Sequence, residues 1–213
     1  MKDILRLCMS LGLVCLVGAA ALAYVNNLTE EPRAAAAKAT LTDGLKLVLP
    51  LETASIASND AEDAPENEKV IVVDGVKLYR AFDAGGKQIA VAAESEAKGF
   101  GGPVKTLTGI GSNGRIIHVI VTSHSETPGL GTQATDRKVK KSVWCGGKKS
   151  QVGENELPPN PYLDGKYNGK EAKPFSAIDG VSGATYSSTA VHNAVNKACR
   201  AFGKYVKDGG YKN

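Results

Sequence analysis

Metal-binding side chains are scarce in this sequence. Its 213 residues include three histidines and four cysteines, and no two cysteines form a C-x-x-C pair. That argues against a zinc site. An excess of one charge is also lacking. The net charge is +4, with lysines and arginines scattered and not striped, so no nucleic-acid face is indicated. No cysteine sits in a lipobox-like pattern, which argues against a lipoprotein anchor, and there is no internal repeat. Aromatic residues make up 6% of the chain against 42% hydrophobic residues in all, a composition that fits one modest globular domain with appended segments.

The most informative absence is local. From Leu7 to Val25 ("LCMSLGLVCLVGAAALAYV") there is no charged residue. At a rise of roughly 1.5 Å per residue, this stretch nearly spans a hydrocarbon core of ~30 Å. Lys2 and Arg6 precede it, so the positive-inside rule keeps the N-terminus in the cytoplasm and sends the rest across. A cleaved signal peptide is the competing reading, since Ala21-Leu22-Ala23 has the A-x-A form. The run is longer than the usual h-region of about 7–15 residues, which favours a retained anchor. On either reading the bulk of the chain works outside the cytoplasm. Cys8 and Cys15, two turns apart within the span, read as small membrane-packing residues. Cys145 and Cys199 lie in an oxidising compartment and leave a disulfide open.

Beyond the span, "LTEEPRAAAAKATLTDGLKLVLP" reads as a helical stalk, with Thr29 and Pro32 at its start and Pro50 at its end. "SIASNDAEDAPENEK" is acidic and poor in bulky apolar residues, and reads as a linker or exposed loop. The expected division is an anchor over 1–27, a stalk and linker over 28–68, and a globular domain over 69–213. Two β-rich runs around Asp74-Gly75 predict a hairpin. "DAGGKQIAVAAE" predicts a further strand, and "PVKTLTGIGSNGRIIHVIVTSH" predicts two more, joined through Ser112-Asn113-Gly114. A short helix is expected from Ala134 to Trp144, with Val139, Val143 and Trp144 inward, and Gly146 to Ala177 reads as a long surface excursion. Val191, Ala194, Val195, Ala198, Phe202 and Tyr205 recur at spacings of three and four, which predicts an amphipathic helix ending before Gly209-Gly210. The expected class is α+β, an antiparallel sheet with packed helices, preceded by one transmembrane helix.

Just before that last helix stands "DGVSGATYSS", Asp179 to Ser188, with two glycines, an alanine and five hydroxyl side chains in ten positions. A helix N-terminus presents free N–H groups and partial positive charge, which favour a phosphate. Capping is the alternative, but one Ser or Thr suffices for a cap. A serine nucleophile is a third reading. Gly180-Val181-Ser182-Gly183-Ala184 approaches the G-x-S-x-G elbow, but Ala184 stands where the second glycine belongs, and the expected connections are not parallel α/β. A second stretch, "HSETPGLG" from His124 to Gly131, mixes a tight Pro128-Gly129 turn with polar Glu126 and Thr127 and apolar Leu130. Such a mixture suits the faces and edges of a flat heteroaromatic ligand. A third, "GFGGPV" from Gly99 to Val104, brings another backbone close.

These three stretches together resemble one family. "DGVSGATYSS" resembles the S/T-G-A-T flavinylation motif of FMN-binding domains. "GFGGPV" and "HSETPGLG" resemble the loops that accompany it in the G component of the Rnf electron-transport complex and in the NqrC component of the sodium-pumping NADH:quinone reductase (the RnfG/NqrC family). The N-terminal span also falls where the family has one, so the resemblance covers nearly the whole chain. The four-residue motif is only moderately specific, and is strong when "HSETPGLG" accompanies it. The resemblance implies that Thr185 carries FMN through a phosphoester bond, making this a covalent flavoprotein. A flavin transferase of ApbE type would attach it from FAD, with AMP leaving. The phosphate would lie near Ser182, Gly183, Ala184 and Ser188. The isoalloxazine would lie towards Glu126, Thr127, Gly129, Leu130 and Gly131. No catalytic residue and no metal ligand are implied. The chain resembles RnfG more than NqrC, and Tyr186 departs from the aliphatic or Thr residue that commonly follows the motif. This implies an electron relay in the cell (inner) membrane, single-pass, with the soluble domain on the periplasmic or extracellular side. Its partners would be the A, B, C, D and E components of a complex that moves electrons between ferredoxin and NAD, coupled to Na⁺ or H⁺. An NqrC-like component of a sodium pump or a non-flavinylated scaffold are the alternatives. The lysines from Lys138 to Lys149 read as a solvated surface or a docking face.

Overall fold

Helix α1 runs without interruption from Lys2 to Val48. The computed structural model describes residues 2–60, 65, 68–136, 160–176 and 180–211. It divides into two compact units, Met1–Thr42 and Asp43–Asn213. The first unit is helical and carries the apolar stretch, which is long and apolar enough to cross a membrane. The stalk is helical as expected but does not begin a new helix at Pro32, which lies inside α1. Proline removes the bond to the carbonyl four residues back. Thr29 Oγ1 lies 2.9 Å from the Val25 carbonyl and 3.1 Å from that of Asn26, a local bond that stays within the helix. The helix ends immediately before Pro50, where the sequence places its stop.

The second unit is built on a six-stranded antiparallel sheet. Its strands are β1 (Ser55–Ala57), β2 (Ile71–Val73), β3 (Val76–Phe82), β4 (Gln88–Lys98), β5 (Pro103–Gly111) and β6 (Ile116–Ser123). The path is β1-β3-β4-β5-β6, with β2 also paired to β3. The expected hairpin at Asp74-Gly75 is present, with φ of 51° and 75° at the two turn residues, the left-handed pair of a type I′ turn. The β5–β6 connection passes through Ser112-Asn113-Gly114 as expected. Ser55–Ala57 corrects the reading of that segment as a linker, because it pairs with Arg80–Phe82 along the sheet edge.

Among the described residues three helices follow β6: α2 (Thr132–Thr135), α3 (Pro161–Tyr167) and α4 (Thr185–Lys207). The short helix expected over 134–144 begins at Thr132 and closes at Thr135, and its expected inward residues Val139, Val143 and Trp144 lie outside the described residues, as do Lys138–Lys149 and Cys145. Helix α3 corrects the reading of 146–177 as a surface excursion throughout. Asn160 starts it, accepting from the Tyr162 N–H at 3.0 Å through Oδ1 and donating through Nδ2 to the carbonyls of Gln133 and Asp136. Leu163 and Tyr167, one turn apart on α3, are buried in the core.

Helix α4 supplies the other half of that core. Val191, Val195, Ala198 and Phe202 pack on Leu78, Val91 and Val104 of the sheet. Fully burying a side chain of this size contributes roughly 1.5–3 kcal/mol. Ser95 ties the layers together, bonding Thr106 Oγ1 at 2.9 Å and the Ala194 carbonyl of α4 at 2.8 Å. Cys199 is a free thiol in this core, and burial pushes its pKa up to about 12. On Gly109 of β5, an added Cβ would meet the Val48 carbonyl, so the last turn of α1 lies directly on the strand's backbone.

Candidate functional site

Three connections converge at the start of α4. The first joins β4 to β5 through Gly99–Gly102, closed by the Gly99 N–H on the Gly102 carbonyl at 2.8 Å. An added Cβ at Gly101 would meet the Ser125 carbonyl, so this loop lies against the second connection backbone to backbone.

The second connection leaves β6 through His124–Gly131. The Leu130 N–H bonds the Thr127 carbonyl at 3.2 Å, and Gly129 has φ of +79°, the geometry of a type II turn with Pro128 and Gly129 at its centre. The loop is pinned at both ends. Thr132 Oγ1 accepts from the Gly129 N–H at 2.8 Å. His124 Nδ1 accepts from the Glu126 N–H at 3.3 Å, while Nε2 faces Asp136 Oδ1 at 3.0 Å.

The third connection is the motif before α4. The Ala184 N–H bonds the Val181 carbonyl at 2.9 Å, and Gly183 has φ of +80°, a second turn that needs glycine at its third position. The hydroxyls do not cap the helix. Ala184 occupies the N-cap position and makes no side-chain cap bond. Ser188 Oγ instead accepts from the Val181 N–H at 2.9 Å, folding the motif back on itself. Ser187 donates to Glu126 Oε2 of the second connection. Thr185, the first helical residue, is left exposed.

Together these segments line a cleft of about 180 Å³. Glu126, Thr127, Leu130 and Gly131 form one wall and Gly183, Ala184 and Thr185 the other. Of the residues singled out from the sequence, Gly129, Ser182 and Ser188 lie outside the lining: Gly129 shapes the turn, Ser182 is exposed, and Ser188 is buried under Val181. Ser187 and two aromatic residues not picked out as site residues, Phe100 and Tyr186, line it as well. Phe100 and Tyr186 are 71% and 74% exposed, with ring centroids 6.2 Å apart. Two exposed rings in a chain so poor in aromatics are the signal that marks them. In the sequence, "GFGGPV" stood out for its glycines, not for the ring between them.

The cleft is shallow. Pockets that enclose a ligand run roughly 300–1,000 Å³, so this cleft could seat a group the size of a flavin but not enclose it. Its chemistry fits such a group: exposed apolar faces on Phe100, Leu130 and Tyr186, and an uncapped helix N-terminus on the opposite wall. None of the lining residues among those described is Lys or Arg, so a phosphate here would rely on backbone N–H groups.

Comparison with known proteins gives the same direction. Residues 99–200, which contain all three connections, match the FMN-binding domain family. The chain is 30% identical over 195 residues to the G component of an ion-translocating oxidoreductase complex of Cereibacter sphaeroides, covering 92% of this chain and 82% of that protein. It is 29% identical over 209 residues to the Pseudomonas aeruginosa protein of the same description, covering 94% and 89%. The G component of a proton-translocating ferredoxin:NAD(+) oxidoreductase complex of Clostridium ljungdahlii is 29% identical over 147 residues, covering 69% and 68%.

Proposed function

Because the chain belongs to the family of G components of ion-translocating oxidoreductase complexes, we propose that it is a membrane-anchored flavoprotein electron relay, with FMN joined through a phosphoester to Thr185. The observation that carries this reading is the position of Thr185. It is an exposed hydroxyl at the uncapped start of a helix, on the wall of a shallow cleft rimmed by exposed apolar rings. A shallow cleft outside the cytoplasm would lose a reversibly bound flavin by diffusion, and a covalent tether prevents that loss.

In the attachment step the Thr185 oxygen bonds to the FMN phosphorus of FAD, the bond from that phosphorus to AMP breaks, and the hydroxyl proton passes to a base on the transferase. Exposure of Thr185 gives an ApbE-type transferase access. Gly183 and Ala184 keep bulk away from the phosphorus, and the first-turn N–H groups of α4 then face the phosphate. Bound flavin supplies one- and two-electron redox chemistry that no side chain here supplies. The protein's own part is to hold it at the rim of the cleft, within reach of neighbouring members of an Rnf-type complex, without substrate turnover of its own.

Peptide mass spectrometry on full-length protein made with an active transferase tests the assignment. FMN mass is expected on the peptide containing Thr185. Thr185→Ala should lose all covalent flavin while its melting temperature stays within about 2 °C, since surface substitutions are usually worth under 0.5 kcal/mol. Full flavinylation of that variant would rule the assignment out, and an unmodified wild-type peptide would make the chain a scaffold component.

A further inference from the structure

Glu126 is 5% exposed, yet it sits in a loop at the mouth of a cleft. Its carboxylate is held from two sides. Oε1 accepts from the Gly101 N–H at 3.2 Å, and Oε2 accepts from Ser187 Oγ. Space for it is made by glycines. An added Cβ at Gly99 would meet Oε1, and one at Gly131 would lie 2.8 Å from Glu126 Cβ and 2.9 Å from Oε2. Two connections therefore leave room for one carboxylate, and the first turn of α4 supplies a hydroxyl to it.

No Lys, Arg or His forms an ion pair with Glu126 among the described residues. Burying a carboxylate without a cation is costly, and a glutamine of the same shape would bridge the same segments without charge. What glutamine cannot supply is a negative charge in the wall of the cleft. A charge in a partly desolvated wall acts on its neighbours far more strongly than one in water.

Resting on the reading that FMN is carried at Thr185, we infer that Glu126 is an electrostatic tuning residue: its buried carboxylate lowers the reduction potential of the flavin by opposing the negative charge that reduction brings into the cleft. Full reduction adds two electrons from the reductant, and protons from the buffer compensate part of that charge. The remainder is repelled by the carboxylate, which Ser187 links to the first turn of α4. Both carboxylate oxygens are engaged by Gly101 and Ser187, so the influence proposed for it is electrostatic.

The test is a spectroelectrochemical titration with dithionite at pH 8 of the full-length flavinylated protein in detergent, alongside Glu126→Gln. Covalent FMN is measured first by intact mass. Glu126→Gln keeps both bridges, since its amide can donate to Ser187 Oγ. It is expected to keep its FMN and to shift the midpoint to a more positive value, by about 30 mV for each tenfold change in the two-electron equilibrium. Ser187→Ala is a second variant, which removes one donor from the carboxylate and leaves its charge less compensated. It is expected to move the midpoint the other way. An unchanged midpoint in Glu126→Gln overturns the inference and leaves the flavin assignment standing. If Glu126→Gln does not fold, an unchanged or raised midpoint in Ser187→Ala overturns it. Wild-type protein without covalent FMN overturns both.

Discussion

His192 shows how one side chain's surroundings set a pH dependence. Burial holds its imidazole below the ordinary histidine range, against a smaller opposing contribution from the backbone of Phe175. Its ring lies 6.4 Å from that of Phe175, and Nε2 is 3.1 Å from Asn196 Nδ2. Asn196 also bonds both the N–H and the carbonyl of Phe175, fixing the segment that leads towards the motif. The folded chain thus binds the proton more weakly than the unfolded chain. The stability this histidine contributes is complete above the unfolded value of about 6.5 and is lost as pH falls through the window beneath it. Thermal melts between pH 7.5 and 5 should show that decline, and His192→Gln should flatten it; parallel slopes in the two proteins would contradict the assignment.

Elements differ in how far local sequence announces them. The hairpin at Asp74-Gly75, the turns at Pro128-Gly129 and Gly183, and helix α4 all declare themselves, because turn chemistry and helical spacing are written over a few adjacent residues. Strand β1 does not. It is three residues long, and its only warrant is pairing with residues some 25 positions away (Ser55 with Phe82). Helix α3 is seven residues long, its core contact rests on Leu163 and Tyr167 with Tyr162 packed beside them, and Gly165 interrupts it. The burial of Glu126 was the least legible part of the site. A glutamate in a loop reads as exposed, and what buries it comes from two distant segments, around Gly99–Gly101 and at Ser187, together with Gly131 of its own loop. The docking of the last turn of α1 is of the same kind, and it can be tested. Gly109→Ala would place a methyl against the Val48 carbonyl, with Val48 Cβ at 3.1 Å. The expected cost is about 1–3 kcal/mol in chemical denaturation, since the crowding is against backbone. A change under about 0.5 kcal/mol, the size of an ordinary surface substitution, would mean that the turn yields freely.

At the scale of the whole molecule, Lys2 and Arg6 ahead of the apolar stretch predict, by the positive-inside rule, a cytoplasmic N-terminus and a cleft on the far side of the membrane. In a Cys145→Ser background, a cysteine placed at exposed Lys207 should react with a membrane-impermeant maleimide in spheroplasts, while one at Lys2 should react only after lysis. The reverse pattern would invert the topology and with it the compartment of the cleft. The native cysteines do not confuse the readout: Cys8 and Cys15 lie in the apolar stretch, and the Cys199 thiol is buried in the core. The apolar helix itself was legible because the length of an apolar run is a property of a whole segment, insensitive to the local detail that hid β1 and α3.

The alanine that begins α4 has no side chain with which to close the helix. On the proposed reading, that gap lets the modification itself do what a capping side chain would do. A phosphoester on Thr185 would set negative charge against the first turn, worth roughly 0.3–1 kcal/mol at a helix start. A chain the transferase has not reached lacks this closure, and its first turn opens more readily to proteases. Cleavage near the start of α4 should then be slower in flavinylated chain than in unmodified chain, with the global melt of the two nearly the same.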